Sequence, residues 1–225
     1  MMSLVLLWIL GTLAATTFVI FISEKYGKGI IIGIFAGLIV TSQILANKTV
    51  SFLNFTVPAA VIVYGSSFLL TDFLCEFHSK KDAKEAVWSG FLASLLLIIA
   101  IEIAIAWPSA PFWKAQEAFV TTLGTTWRVV VASLAAYVVS QNWDVHIFTK
   151  IKEKTEGKHL WLRNIGSTFT SQLIDTVIFI SIAFYGIMPI VPLIIGQYIV
   201  KLIIAAMDTP FLYALKWGRK NMLSD

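Results

Sequence analysis

Charged residues are scarce in this sequence, and long stretches contain none at all. Of the 225 residues, 58% are hydrophobic and 13% are charged, whereas soluble domains are about 45–50% apolar and about 25% charged. A soluble core of this size cannot bury so much apolar surface. The composition therefore excludes an ordinary soluble domain and indicates a protein whose solvent is the lipid bilayer.

The residues that most enzymes and metal sites require are also few. Cys75 is the single cysteine, which excludes an internal disulfide. The three histidines fall in or beside predicted loops, without the spacing of a metal site. The sequence has neither a glycine-rich phosphate loop nor a Gly-x-Ser-x-Gly elbow. We therefore expect no metal or other cofactor, and an intramembrane enzyme is the least favoured of the alternatives below.

Seven apolar segments can each cross the hydrocarbon core, which requires roughly 20 residues of helix. We interpret the first as a retained helix rather than a signal peptide, because it lacks a basic leader. Pro58 is expected in the first turn of the third span, and residues 112–123 could form a short helix at the membrane surface. We predict an all-α polytopic bundle that forms one domain over residues 1–225. The predicted spans are 2–22, 28–46, 57–77, 86–107, 124–142, 164–186 and 190–215.

Basic residues are distributed unequally between alternate loops. Most Lys and Arg residues follow the first, third, fifth and seventh spans, whereas the opposite side has only Lys48 and Lys114. Cytoplasmic loops of membrane proteins are enriched in Lys and Arg. The sequence therefore predicts an external N-terminus and a cytoplasmic C-terminus in the cell (inner or plasma) membrane. This rule also explains the net charge of +4 without a nucleic-acid partner.

Polar and charged residues also occur inside the predicted spans. A charge at the centre of a spanning helix costs about 2.5–3.5 kcal/mol, so it is a functional-site hypothesis by default. Gln172 and Asp175 share one face of the sixth span, as do Gln197 and Lys201 of the seventh. The candidate site residues are Asn47, Asp72, Glu76, Arg128, Gln172, Asp175, Gln197 and Lys201.

Several of these residues also have a structural interpretation. Arg128 could pair with Glu102 at a similar depth, and Glu76 could be an interfacial carboxylate at a helix end. Asp175 and Lys201 could simply neutralise each other. Packing alone rarely needs so many hydrogen-bonding groups at one depth on three helices, so a polar cavity that binds a small polar molecule is favoured.

The order of the polar motifs resembles the queuosine precursor transporter family, which is also described as a vitamin-uptake-like family. The resemblance covers about residues 35–215 and implies six family helices, to which the first span is an addition. Phe77 and His78 depart from the Tyr-Gly that often follows the family's motif glutamate. The matching motifs are Ala46-Asn47-Lys48, Thr71-Asp72 with Glu76, Arg128 with Ala132-Ser133, Ser140 to Phe148, Trp161 to Asn164, Ser167-Thr168, Gln172, Asp175-Thr176, Ile182 to Phe184, Gln197, Lys201 and Thr209-Pro210 with Tyr213.

The resemblance implies a transporter that imports 7-cyano-7-deazaguanine or its aminomethyl relative, precursors of queuosine or archaeosine. Asp175 or Asp72 would accept hydrogen bonds from the N–H donors of the base. Gln172 and Gln197 would bond its carbonyl and ring nitrogens, and Asn47 would cap the outer part of the site.

Lys201 would hold the carboxylate ionised or act as a gate. The alternative function is a substrate-capture subunit of an ATPase-energised uptake complex. The expected partners are the deazapurine and the lipid bilayer. A homodimer is compatible with the sequence, which does not identify a coupling cation.

Overall fold

In a computed structural model the chain forms eight α-helices and one β-hairpin within residues 2–24, 26–52, 54–156 and 160–222, the part that the structure describes. This architecture confirms the predicted all-α membrane bundle. The elements are α1 (Met2–Glu24), α2 (Lys28–Leu45), β1 (Thr49–Phe52), β2 (Phe55–Pro58), α3 (Val61–Phe77), α4 (Lys80–Ala106), α5 (Gln116–Leu123), α6 (Thr126–Lys154), α7 (Leu160–Phe184) and α8 (Ile190–Met222).

Five segments of the described chain are long and apolar enough to cross a membrane. Two shorter apolar stretches lie in α1 and α3. The 17 residues of α3 extend about 26 Å at 1.5 Å per residue, less than the roughly 30 Å hydrocarbon core. The count of seven spans and the orientation of the termini therefore stay predictions. The five segments are Lys28–Leu45, Lys81–Ala106, Gln116–Ser140, Gly166–Phe184 and Ile190–Met207.

The β-hairpin between α2 and α3 was not predicted. Pro58 was expected in the first turn of a helix. It instead ends β2, where it lies opposite Thr49. Asn54 in the turn has φ 66°, a left-handed conformation that asparagine tolerates. The sequence signal was weak because the strands have four residues each and run directly into the apolar stretch of α3. A short helix, α5, does form within the predicted residues 112–123, and its place at the membrane surface stays a prediction.

Glycines bring the elements close together at three places. Gly90 of α4 lies against Phe35 and Ile39 of α2, and Gly65 of α3 lies against Ile204 of α8. Gly196 of α8 contacts the backbone oxygen of Thr56 in β2. Lipid tails are as apolar as leucine, so helix association in a membrane depends on such close packing rather than on apolar burial.

The buried apolar residues form two clusters. One contains residues from α1, α2, α3, α4, α8 and the hairpin, with Leu69, Leu70 and Phe73 of α3 fully buried in it. The other joins α6 and α7 to the first turns of α8, through residues such as Val129 and Ile180, and includes Ala46 after α2 and Ala60 before α3. The boundary between these clusters is where the polar residues of the spans meet.

Contacts at the two ends of the bundle match the predicted alternation of loops. At one end, Lys28 at the start of α2 forms an ion pair with Asp82 at the start of α4. At the other end, Asn47 bonds Thr125 and Thr126 at the start of α6. In each of these two cases, two connections predicted to share a side of the membrane lie together.

The predicted orientation can be tested with single-cysteine variants in a Cys75→Ser background. Lys114→Cys in the outer connection should react with an impermeant maleimide in intact cells, because the positive-inside rule places it outside. Lys81→Cys, whose side-chain position is 85% exposed at the opposite end, should react only after permeabilisation. The reverse pattern would invert the assigned orientation.

Gly196→Ala should destabilise the protein, because a Cβ atom there collides with the Thr56 backbone oxygen. We expect a loss of about 1–3 kcal/mol, measured as a lower thermal midpoint in detergent. Gly37→Ala on α2 is the matched control, since a Cβ at that position meets nothing within 4 Å. Equal midpoints for the two variants would contradict the close packing of the hairpin on α8.

Candidate functional site

A cavity lined by both apolar and polar side chains lies between the two apolar clusters. The space inside it, counted out to the mouth and including open solvent, is about 420 Å³. Its residues come from α2, the end of the hairpin, α3, α6, α7 and α8, and most are spaced three or four apart on each helix, which places them on one face. The lining residues are Ser42, Gln43, Ala46, Pro58, Ala60, Val61, Tyr64, Ser133, Ala136, Asp175, Phe179, Gln197 and Lys201.

An ion pair between α7 and α8 is the main charged feature of the cavity. Lys201 Nζ donates to Asp175 Oδ2, and the two side chains are 4% and 11% exposed. Ser140 Oγ of α6 donates to Asp175 Oδ1 at 3.4 Å. Lys201 Nζ also lies 5.6 Å from the ring centroid of Tyr64 on α3, within cation–π range. The two charges therefore offset each other inside a span, where either alone would be costly.

Two buried glutamines face the same cavity. Gln43 and Gln197 are each 4% exposed. Ser133 Oγ donates to Gln43 Oε1 at 3.3 Å. Within the described chain, the Gln43 Nε2 and the Gln197 amide have no hydrogen-bond partner. Buried amides are normally hydrogen-bonded, so these groups are available to a ligand.

Aromatic and hydroxyl groups complete the lining. Tyr64 and Phe179 present rings from α3 and α7, and Ser42 lies beside Gln43 on α2. The Ser42 hydroxyl donates to the Ile39 carbonyl at 2.7 Å. The cavity thus combines a carboxylate, an ammonium, two amides and two flat apolar faces. This set can bind a small, flat molecule that has several hydrogen-bonding groups.

The structure brings three of the predicted site residues to the cavity, namely Asp175, Gln197 and Lys201. Gln172 lies three residues before Asp175 on α7. Its Oε1 is buried and, in the described chain, has no hydrogen-bond partner, as is also true of the Thr176 hydroxyl. These two oxygens mark unsatisfied polar positions beside the ion pair.

The other predicted residues lie elsewhere. Asn47 bonds Thr125 and Thr126 at 2.8 and 2.9 Å and links α2 to α6. Asp72 is on an exposed face of α3. The Glu76 side chain lies outside the described part of the structure. The participation of these residues in binding stays a prediction.

Arg128 caps the end of α7 in the structure. Its Nε donates to the Ile182 carbonyl and its Nη2 to the Tyr185 carbonyl, both at 2.6 Å. The last carbonyls of a helix lack intrahelical donors and carry partial negative charge. No ion pair joins Arg128 to Glu102 among the residues described, and Glu102 is exposed on α4. A role of Arg128 in substrate binding stays a prediction.

Sequence reasoning did not place Gln43, Tyr64 or Ser133 in the site. Gln43 did give a signal, because it lies four residues before Asn47 on a polar stripe of the second span. Tyr64 and Ser133 gave little, since an isolated tyrosine or serine in a spanning helix is common and a serine hydroxyl there usually bonds its own backbone. Their role depends on how α3 and α6 rotate toward α7.

A multi-pass bundle with a polar cavity between its helices is the architecture of a membrane transporter for a small molecule. Comparison of the sequence with known proteins supports this class. Residues 58–215 match the family described as "Putative vitamin uptake transporter". The chain belongs to this vitamin-uptake transporter family and is a multi-pass protein of the cell membrane. No solved structure matches it.

Three relatives carry related names. A "Probable queuosine precursor transporter" of Bacillus subtilis (strain 168) is 33% identical over 215 residues, 93% of each chain. A "Queuosine precursor transporter" of Escherichia coli (strain K12) is 25% identical over 164 residues, 72% of each chain. A "Probable queuosine precursor transporter" of Haemophilus influenzae is 25% identical over 146 residues, 65% of this chain and 60% of that one. The resemblance found in the polar motifs is thereby confirmed.

Arg128→Lys should lower the stability of the protein. A lysine cannot reproduce two hydrogen bonds from a planar guanidinium, and each bond to a charged donor contributes about 1.5–3 kcal/mol. We expect a lower thermal midpoint in detergent, and a midpoint at least as low for Arg128→Gln, which also removes the charge. An unchanged midpoint for both variants would contradict the capping of α7 by this side chain.

Proposed function

We propose that this protein imports 7-deazaguanine precursors of queuosine, 7-cyano-7-deazaguanine or its aminomethyl relative, through the cavity between its helices. The names of the relatives give the substrate class. The observation that carries the proposal is the arrangement of two buried glutamines, Gln43 with a free Nε2 and Gln197 with a free amide within the described chain, around the Asp175–Lys201 ion pair.

The hydrogen-bonding groups of the cavity complement a guanine-like edge. A 7-deazaguanine offers N–H donors at its ring N1 and exocyclic amine, and acceptors at its carbonyl and ring N3. A carboxylate has about four lone-pair positions, so Asp175 can accept from the base while it bonds Lys201 and Ser140. The Gln43 Nε2 and the Gln197 amide would bond the carbonyl and a ring nitrogen.

The flat rings of Tyr64 and Phe179 would hold the base by stacking. Aromatic pairs favour offset or edge-to-face contacts and contribute about 0.5–1.5 kcal/mol beyond area burial. A base that lacked a matching donor or acceptor would leave a buried group unpaired, at a cost of about 1–3 kcal/mol. The site would therefore select by hydrogen bonding rather than by volume.

Transport would require the cavity to open to each side of the membrane in turn. The packing provides a boundary for such a motion, since the cavity lies between two clusters that each pack internally. Pro210 within α8 is a point at which that helix can bend, because proline removes a backbone hydrogen bond. The two clusters would move relative to each other around a fixed binding site.

Uptake of labelled 7-cyano-7-deazaguanine into vesicles that contain only this protein tests the proposal. We expect saturable uptake by the unmodified chain and a loss of about tenfold to hundredfold for Asp175→Asn, which replaces an acceptor of the base N–H groups. Gln197→Leu should also reduce uptake, and it leaves the ion pair intact. Glu102→Gln, which converts an exposed carboxylate to an amide outside the cavity, is the matched control.

The outcomes distinguish several explanations. Binding in detergent without uptake would indicate an ATPase-energised complex, of which this chain is the capture subunit. Absence of both binding and uptake from the folded protein would refute the substrate class. Loss of uptake in Asp72→Asn but not in Asp175→Asn would indicate that the substrate binds at the exposed face of α3 instead of in the cavity.

A further inference from the structure

The charges that line the cavity cancel. Asp175 and Lys201 are its only carboxylate and ammonium among the described residues, and they are paired. The remaining lining groups are amides, hydroxyls and apolar side chains. A neutral ligand therefore enters a site that has no charge to neutralise, whereas a charged ligand leaves one charge without a partner.

Lys201 also occupies two positions at which the cavity could receive a cation. The first is the Asp175 carboxylate, to which Nζ donates. The second is the face of the Tyr64 ring, 5.6 Å from the same Nζ. A carboxylate and an aromatic face are the groups that stabilise a buried ammonium. With both taken by an internal ammonium, a ligand ammonium would lie near Lys201 and be repelled by it.

The two precursors considered above differ in charge. They share the deazaguanine ring, but one has a neutral nitrile at position 7 and the other an aminomethyl group. An alkyl amine of this kind is protonated at neutral pH, as the lysine side chain is. The cavity would thus meet one precursor as a neutral molecule and the other as a cation.

We propose that the Asp175–Lys201 pair makes this transporter selective for neutral 7-deazapurines, with Lys201 as the residue that determines the selection. The inference rests on the proposed function, since it concerns the same site and the same class of ligand. The nitrile can accept a hydrogen bond from the Gln43 or Gln197 amide. The aminomethyl cation gains no anionic partner and must be desolvated without compensation.

Competition for uptake of labelled 7-cyano-7-deazaguanine measures this selectivity. Unlabelled cyano compound should inhibit the unmodified transporter at a concentration roughly tenfold or more below that of the aminomethyl compound. Equal inhibition, or stronger inhibition by the aminomethyl compound, would overturn the inference while uptake itself supports the proposed function. Absence of uptake would overturn the proposed function and this inference with it.

Gln197→Glu tests the electrostatic cause without breaking the ion pair. This substitution adds a negative charge to the lining at nearly constant shape, so the ratio of the two inhibitory concentrations should shift toward the aminomethyl cation by roughly tenfold. Gln116→Glu is the matched control, because Gln116 lies on α5 and donates to the Ile105 carbonyl at 3.1 Å, away from the cavity. A ratio that does not change in Gln197→Glu would contradict selection by charge.

Lys201→Gln provides a second test, since it frees the Asp175 carboxylate and the Tyr64 ring for a ligand cation. In this variant the aminomethyl compound should inhibit uptake at a lower concentration than the cyano compound. The double variant Asp175→Asn/Lys201→Gln is neutral again, and the reduced uptake that remains without the Asp175 carboxylate should retain the preference for the cyano compound. If the two variants gave the same ratio, shape rather than charge would determine the selection.

Discussion

The ion pair between Asp175 and Lys201 is the interaction on which the centre of the molecule depends. It joins α7 to α8 within segments long and apolar enough to cross the membrane, where either charge alone would be costly. Removal of one partner from a buried pair leaves an uncompensated charge, at a cost of about 3–5 kcal/mol. The pair therefore constrains the rotation of both helices, and it brings Phe179 and Gln197, one turn away on each, to the same cavity.

Most other polar side chains of the spans are satisfied within their own helices. Thr17, Thr41 and Ser94 each donate to the carbonyl four residues earlier, which removes the cost of an unpaired hydroxyl in lipid. The two glutamines that face the cavity differ in this respect, whereas the Ser42 hydroxyl bonds its own helix. Gln43 bonds another helix, and Gln197 has no partner in the described chain. This difference distinguishes the lining of the cavity from polar side chains that bond only their own helix.

The sequence predicted the helices well, because their length and apolar content are imposed by the bilayer. It also predicted that Asp175, Gln197 and Lys201 line a cavity. A charge within a span and a spacing of three or four residues can both be recognised in the sequence alone. It did not predict the contacts that depend on helix rotation. Arg128 bonds the carbonyls at the end of α7 instead of Glu102, and Asp72 is on an exposed face of α3. The short hairpin was hidden because its strands continue into apolar sequence.

The hydrogen bonds around α2 show which contacts an opening of the cavity would break. At the hairpin end, α2 is tied to α6 through Asn47, and within the cavity through the bond from Ser133 to Gln43. At the opposite end, the ion pair of Lys28 with Asp82 ties α2 to α4, and Gly90 brings these helices together. Separation of α2 from α6 would break these neutral hydrogen bonds, which contribute about 0.5–1.5 kcal/mol each, and the packing of Leu45 and Ala46 in the second apolar cluster. Separation of α2 from α4 would also break an ion pair and close packing. Of the two boundaries, the one between α2 and α6 is the weaker, and it is the one that the cavity adjoins.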